Sequence, residues 1–144
     1  MGGLAPIVVV IGGAIGAVLR YGLSTVITAR QPRVVPIGTL TVNVIGAFLI
    51  GLLSTTISPL IFDFFRPDDA TDWSRVLSLL LITGLCGGFT TFSTATLEAV
   101  SLGRAGRLGA AVSLTLVTLA SSFAAVSLGV LVGNLLMQFL VPFD

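Results

Sequence analysis

Four long apolar runs, at residues 5–29, 36–62, 75–102 and 108–140, leave this chain few ways to fold. Each is long enough to cross roughly 30 Å of hydrocarbon as an α-helix, the longer ones with tilt. A backbone inside a bilayer has no water to bond, and a helix satisfies its own N–H and C=O groups. The expected fold is an all-α integral membrane protein of four transmembrane helices, residues 1–144 forming a single domain. Most of the charge sits at the joints, which read ARQPRVVP, DFFRPDDATDWSR and GRAGR. Pro32 and Pro36 stop helical continuation at the first joint and Pro67 at the second, and the Ser/Thr/Asp residues near Asp72 can cap the third helix.

Composition matters mainly for what it excludes. With 55% hydrophobic and 9% charged residues, the chain is far from an average soluble domain. Its formal charge of +1, with no His and a single Cys86, offers no nucleic-acid surface. The same inventory denies one chain a metal cluster, a Cys/His pair, a Ser-His-Asp triad or a disulfide, so an enzyme is not expected. The N-terminus lacks the basic region and cleavage site of a signal peptide, and the first run is read as a retained span. Four spans put both termini on one side. The face bearing the first and third joints holds Arg30, Arg33, Arg104 and Arg107, against Arg66 and Arg75 opposite. This small imbalance slightly favours termini outside the cytoplasm and is compatible with insertion either way.

Small residues occur in every span. Gly12 and Gly16, Gly46 with Ala47 or Gly51, and Gly129 and Gly133 have the spacing of closely packed helices, which says nothing about cargo. Polar groups at membrane depth are more informative, because an unpaired one costs several kcal/mol in hydrocarbon. The second span carries Asn43, with Thr39 one turn earlier. The fourth carries Thr115, Thr118 and Ser122 along one stripe. Such hydroxyls either bond their own helix four residues back or face a polar path. Arg20, ten residues from the end of the first span, either snorkels or sets a positive potential at the mouth of an anion path, and Glu98 is similarly near the end of the third span.

The stretch GLCGGFTTFSTATLE, from Gly84 to Glu98, interrupts an otherwise ordinary apolar helix. Gly87-Gly88 frees the backbone near mid-span, and the following Thr and Ser hydroxyls can re-satisfy released groups. Irregular backbone at that depth survives only where protein or a water-filled cavity covers it. The expectation is a helix broken at its glycine pair. Its exposed carbonyls suit a hard monovalent cation, and the neighbouring half-helix N-terminus suits an anion. The alternative is a packing kink.

GGAIGAVLRYGLS, GTLTVNVIGAFLIG and GLCGGFTTFST match, in order and spacing, the first three helices of the Fluc (CrcB) family of fluoride channels, which the chain resembles over its first two-thirds. The resemblance implies a passive fluoride channel subunit in a prokaryotic plasma membrane, surrounded by lipid. It also implies an antiparallel, dual-topology dimer, with itself or a paralogous subunit, whose interface carries two fluoride pathways. Broken third helices would meet at its centre and hold a structural Na+ through carbonyls of Gly87 and Thr90. By motif position the pore residues are Asn43 and Phe92, with Thr118 and Ser122 on the fourth helix, and Arg20 lies in the vestibule. Fluoride is small and tightly hydrated, and an amide NH₂, hydroxyls and a ring edge are compact replacements for its water. A full charge at the narrowest point would hold the ion too tightly to conduct.

Two positions depart from the family pattern. Ala95 stands where TTFSTF would place a second phenylalanine, and Leu114 falls about where a tyrosine is often seen. One pathway is therefore open to alteration, and a pore-impaired partner in a heterodimer is the alternative function. A proton-coupled exporter of the small multidrug type is a further one, although that type carries a first-helix glutamate where this chain has Arg20.

Overall fold

A computed structural model describes residues 4–30, 37–64 and 74–140. Five helical elements lie within them: α1 (Leu4–Arg30), α2 (Ile37–Phe64), α3 (residues 74–89), α4 (Phe92–Arg104) and α5 (Leu108–Leu140). No strand occurs among the described residues. Elements α3 and α4 share the third apolar run, so among the described residues the spans able to cross a membrane are four, as expected: Ala5–Arg30, Ile37–Ile57, Ser74–Arg104 and Leu108–Leu140. The chain is a multi-pass membrane protein. The joint residues Pro32, Arg33, Pro36, Arg66, Pro67, Asp68, Asp69 and Asp72 lie outside the described residues.

The packing inverts that of a soluble bundle. Large apolar side chains such as Val10, Val18, Phe123 and Phe139 point outward, while Thr39, Asn43 and Thr91 are buried. Lipid gives no hydrophobic drive between helices, so contact depends on small residues that admit close backbone approach. Two such seams organise the fold. Element α1 lies against α3, where a Cβ on Gly12 or Gly16 would strike the main-chain oxygen of Leu80 or Leu85. Element α2 runs along α5 in the most extensive contact among the described elements. There Gly51 faces the carbonyl of Val126 and Gly129 faces that of Phe48, so each helix fills the other's gap.

Element α3 takes wide π-type turns over Leu79–Cys86, and the Gly87 N–H is shared between the carbonyls of Gly84 and Ile82. The glycine pair is not where the backbone departs from helix. Gly87 is helical (φ −62°, ψ −39°), and Gly88 follows it within α3. The departure comes at Thr90 (φ −81°, ψ 158°) and Thr91 (φ −149°, ψ 119°), both extended. Two physical reasons move it there. Gly88 uses its missing side chain for space, since a Cβ would collide with the backbone of Gly13. The two β-branched threonines, by contrast, favour extended backbone. Thr91 then caps α4, its Oγ1 accepting from Thr94 N–H at 3.2 Å.

At its far end α4 closes tightly onto α5. Arg107 N–H donates to Leu102 O and Gly106 N–H to Gly103 O, both at 3.0 Å, with Gly106 at φ +74°. That is a Schellman ending, which glycine adopts without strain. It leaves Arg104 and Arg107 exposed at the end of the hairpin, and α4 packs back along α5 through Leu102, Ala111 and Leu114.

Candidate functional site

The Thr91 peptide is held from another helix. Asn43 on α2 donates from Nδ2 to Thr91 O at 3.0 Å, and its Oδ1 accepts from Thr91 N–H at 2.8 Å. The side chain is only 9% exposed. Leaving helical geometry at membrane depth strands an N–H and a C=O, and this bidentate clamp satisfies both. One Nδ2 hydrogen is used, which leaves the second available. Thr90 is fixed beside it: N–H and Oγ1 both donate to Cys86 O, at 2.9 and 3.0 Å. The Thr90 methyl occupies space that a side chain at Gly46 would fill.

Beside the clamp, α2, α4 and α5 enclose a groove of about 760 Å³. Asn43, Thr90, Phe92, Thr118 and Ser122 all line it, so residues from three separate motifs converge on one space. Phe92 opens α4 and is 84% exposed. Of the hydroxyl stripe, Thr115 and Thr118 donate to Ala111 O and Leu114 O at 3.0 and 2.8 Å, which commits their protons to their own helix. Ser122 has no hydrogen bond among the described residues, so its proton is free to serve a ligand. Ala95 and Leu114 line the same groove. Arg20 is half-buried on α1 and is not among the lining residues.

Gly87 is exposed, and nothing lies within 4 Å of the position its Cβ would take. Its carbonyl and that of Thr90 share an unusual property. In a continuous helix they would accept from Thr91 N–H and Thr94 N–H. Here the first donates to Asn43 Oδ1 and the second to Thr91 Oγ1. Both oxygens are thereby released from the ladder, as a cation ligand must be. Among the described residues no three His, Cys, Asp or Glu side chains gather to hold a metal. Main-chain oxygens are the ligands on offer, and they suit hard monovalent ions.

The family described as CrcB-like protein, Camphor Resistance (CrcB), matches residues 7–130. The chain belongs to the CrcB family. Its similar relatives are each named "Fluoride-specific ion channel FluC". That of Gloeothece citriformis is 34% identical over 124 residues, covering 86% of this chain and 92% of its own. That of Agrobacterium fabrum is 42% identical over 123 residues, 85% and 90% of the two chains. That of a Hydrogenobaculum species is 40% identical over 128 residues, 89% and 96%. These relatives are ion channels and not enzymes.

In this CrcB-family chain the structure adds contacts that sequence reading did not supply. Thr39 Oγ1 donates to Glu98 Oε1 at 2.5 Å, one turn along α2 from the Asn43 clamp. Thr91 Oγ1 also donates to Thr94 Oγ1 at 3.0 Å and lies 3.3 Å from Ser93 Oγ. The α2 residues Thr39 and Asn43 thus meet the α4 side at Glu98 and Thr91, forming a polar seam between the two elements. The available signal was periodicity: Thr91, Thr94 and Glu98 recur at three and four residues, on one helical face.

Proposed function

We propose that this chain is a subunit of a fluoride-specific ion channel, passively releasing cytoplasmic F⁻ through pathways at the interface of an antiparallel dimer. The observation that carries the proposal is the convergence of Asn43, Phe92 and Ser122 on one groove beside a clamped helix interruption. The second Nδ2 hydrogen of Asn43, the Ser122 hydroxyl and the positive edge of the Phe92 ring are compact donors. Thr118 joins them when its hydroxyl rotates away from Leu114 O. Among the described residues no arginine lines the groove, so an ion there would meet partial charges and could leave as readily as it enters. Arg20 would raise local anion concentration from outside the groove. The open side of the groove and the exposed Phe92 would be closed by the second subunit, this chain inverted or a paralogue.

Na+ would be held by the carbonyls of Gly87 and Thr90 from each subunit, where it would supply a fixed positive charge at the centre of the dimer. The test is fluoride release from proteoliposomes, read with a selective electrode and with chloride as control. Brisk release that falls away in Phe92→Leu and in Ser122→Ala is expected. Release that both variants retain would put the pathway elsewhere. Ala95 favours a second reading, a subunit whose own contribution to one pathway is reduced and which works with an oppositely inserted paralogue. Brisk release by the chain purified alone would count against it.

A further inference from the structure

We infer that Asn43 is a positioning residue for the cation-binding carbonyls: by taking the Thr91 N–H on its Oδ1, it keeps Gly87 O from being closed into the helix. The inference rests on the reading of Gly87 and Thr90 as cation ligands and adds to it a residue from a different helix.

The two carbonyls are released by different means. Thr90 O is free because Thr94 N–H bonds the cap residue Thr91, a local arrangement that many caps provide. Gly87 O is free because a side chain 48 residues away holds the N–H that would reach it. That N–H belongs to a buried residue, where a donor without a partner is strongly disfavoured. Without the Asn43 oxygen, the nearest acceptor along the chain is Gly87 O, four residues back, and accepting that bond extends α3 by one residue. The oxygen would then point along the helix axis into a hydrogen bond and would no longer be free for an ion. Gly46, one turn further along α2, has no side chain to substitute. Asn43 therefore serves both ions. Its oxygen side fixes the backbone from which the cation ligands project, and the residue lines the groove with one amide N–H to spare.

The test is a Na+ titration of the thermal midpoint of the purified full chain, with choline replacing Na+ at constant ionic strength. Asn43→Ala is expected to raise the half-maximal Na+ concentration on the order of tenfold, the size of ordinary coupling between neighbouring sites. Asn43→Asp keeps an acceptor for Thr91 N–H and loses the amide donor. Its titration should lie at or below that of the unsubstituted chain, while fluoride release is lost. Ser127→Ala, whose hydroxyl only bonds Phe123 O, should leave the titration unchanged. An unshifted Asn43→Ala titration overturns the inference, and so does an Asn43→Asp titration raised tenfold. If Asn43→Ala yields no folded protein, Asn43→Asp decides alone by the same criterion. An unsubstituted chain whose midpoint ignores Na+ removes the cation reading itself. A responsive chain whose Asn43→Ala variant responds identically removes this inference only.

Discussion

Replacing Gly46 by alanine probes the seat of the interruption. A Cβ at this position would run into the Thr90 methyl and lie 3.3 Å from Phe89 Cδ1. Thr90 has little room to yield, because its N–H and Oγ1 are both spent on Cys86 O and the next peptide is clamped by Asn43. Phe89 is buried and cannot swing outward without opening a void. Overpacking a filled site by one methyl costs about 1–3 kcal/mol. With the neighbour fixed on both sides, the upper part of that range, about 2–3 kcal/mol, is expected. If the same displacement misaligns the groove donors, fluoride release falls about 10- to 100-fold, which corresponds to about 1.4–2.7 kcal/mol. Thr90→Ser removes the colliding methyl and keeps the hydroxyl that donates to Cys86 O. Gly46→Ala/Thr90→Ser should therefore recover most of the loss, with a coupling of about 1–2 kcal/mol in a double-mutant cycle. Electrode-measured efflux at matched protein per vesicle, together with thermal midpoints, reads both effects. Undiminished efflux in Gly46→Ala would refute the reasoning, as would a folded double variant no faster than the single one.

Three further outcomes are expected. Ala95→Phe places a second ring beside Phe92 in the groove and should increase fluoride efflux if the missing ring limits conduction; unchanged efflux would mean that Ala95 is not limiting. Gly51→Ala should lower the thermal midpoint markedly, because its Cβ would strike Val126 O across the α2–α5 seam, whereas Gly22→Ala, with nothing within 4 Å, should stay within about 0.5 kcal/mol of the parent. Thr39→Val strips Glu98 of its hydroxyl partner and should cost about 1–3 kcal/mol, while Thr39→Val/Glu98→Leu should cost less than the sum of the two single changes.

The four spans were legible because the bilayer fixes both the length and the polarity of a crossing helix. The runs read at 5–29 and 108–140 meet helices at Leu4–Arg30 and Leu108–Leu140 within a residue at each end. The density of Gly, Thr and Ser marks the third run as unusual, and the residues with extended dihedrals there are Thr90 and Thr91 rather than the glycine pair. The pair Gly87-Gly88 suggests conformational freedom, and the fold uses Gly88 for proximity to α1 instead. Both uses select glycine, so sequence alone does not separate them. Asn43 stood out as a polar residue in hydrocarbon, yet its partner is a main-chain group, which leaves no mark in residue identity. The hydroxyl stripe illustrates the same limit. Thr115, Thr118 and Ser122 look alike in spacing, and only hydrogen-bond geometry separates two helix-bound protons from the Ser122 proton.

In the proposed channel the interruption would let a chain so poor in charge serve ions of both signs. Where α3 ends, carbonyls lose their helical partners, and where α4 begins, its first-turn N–H groups lack theirs. These are the negative and positive ends of two short dipoles, and only the extended pair Thr90 and Thr91 separates them. In the proposed channel the first end would face a cation, while the second would lie beside the anion groove entered by Phe92. Either function alone could be met by a side-chain charge, but Asp, Glu, Arg or Lys at this depth would need burial or pairing at considerable cost. Backbone dipoles carry no net charge and cannot be neutralised by a proton, provided something holds the two helix ends apart. Asn43 supplies that hold by bonding both sides of one peptide, so the amide matters as much for the backbone it fixes as for the hydrogen it leaves free.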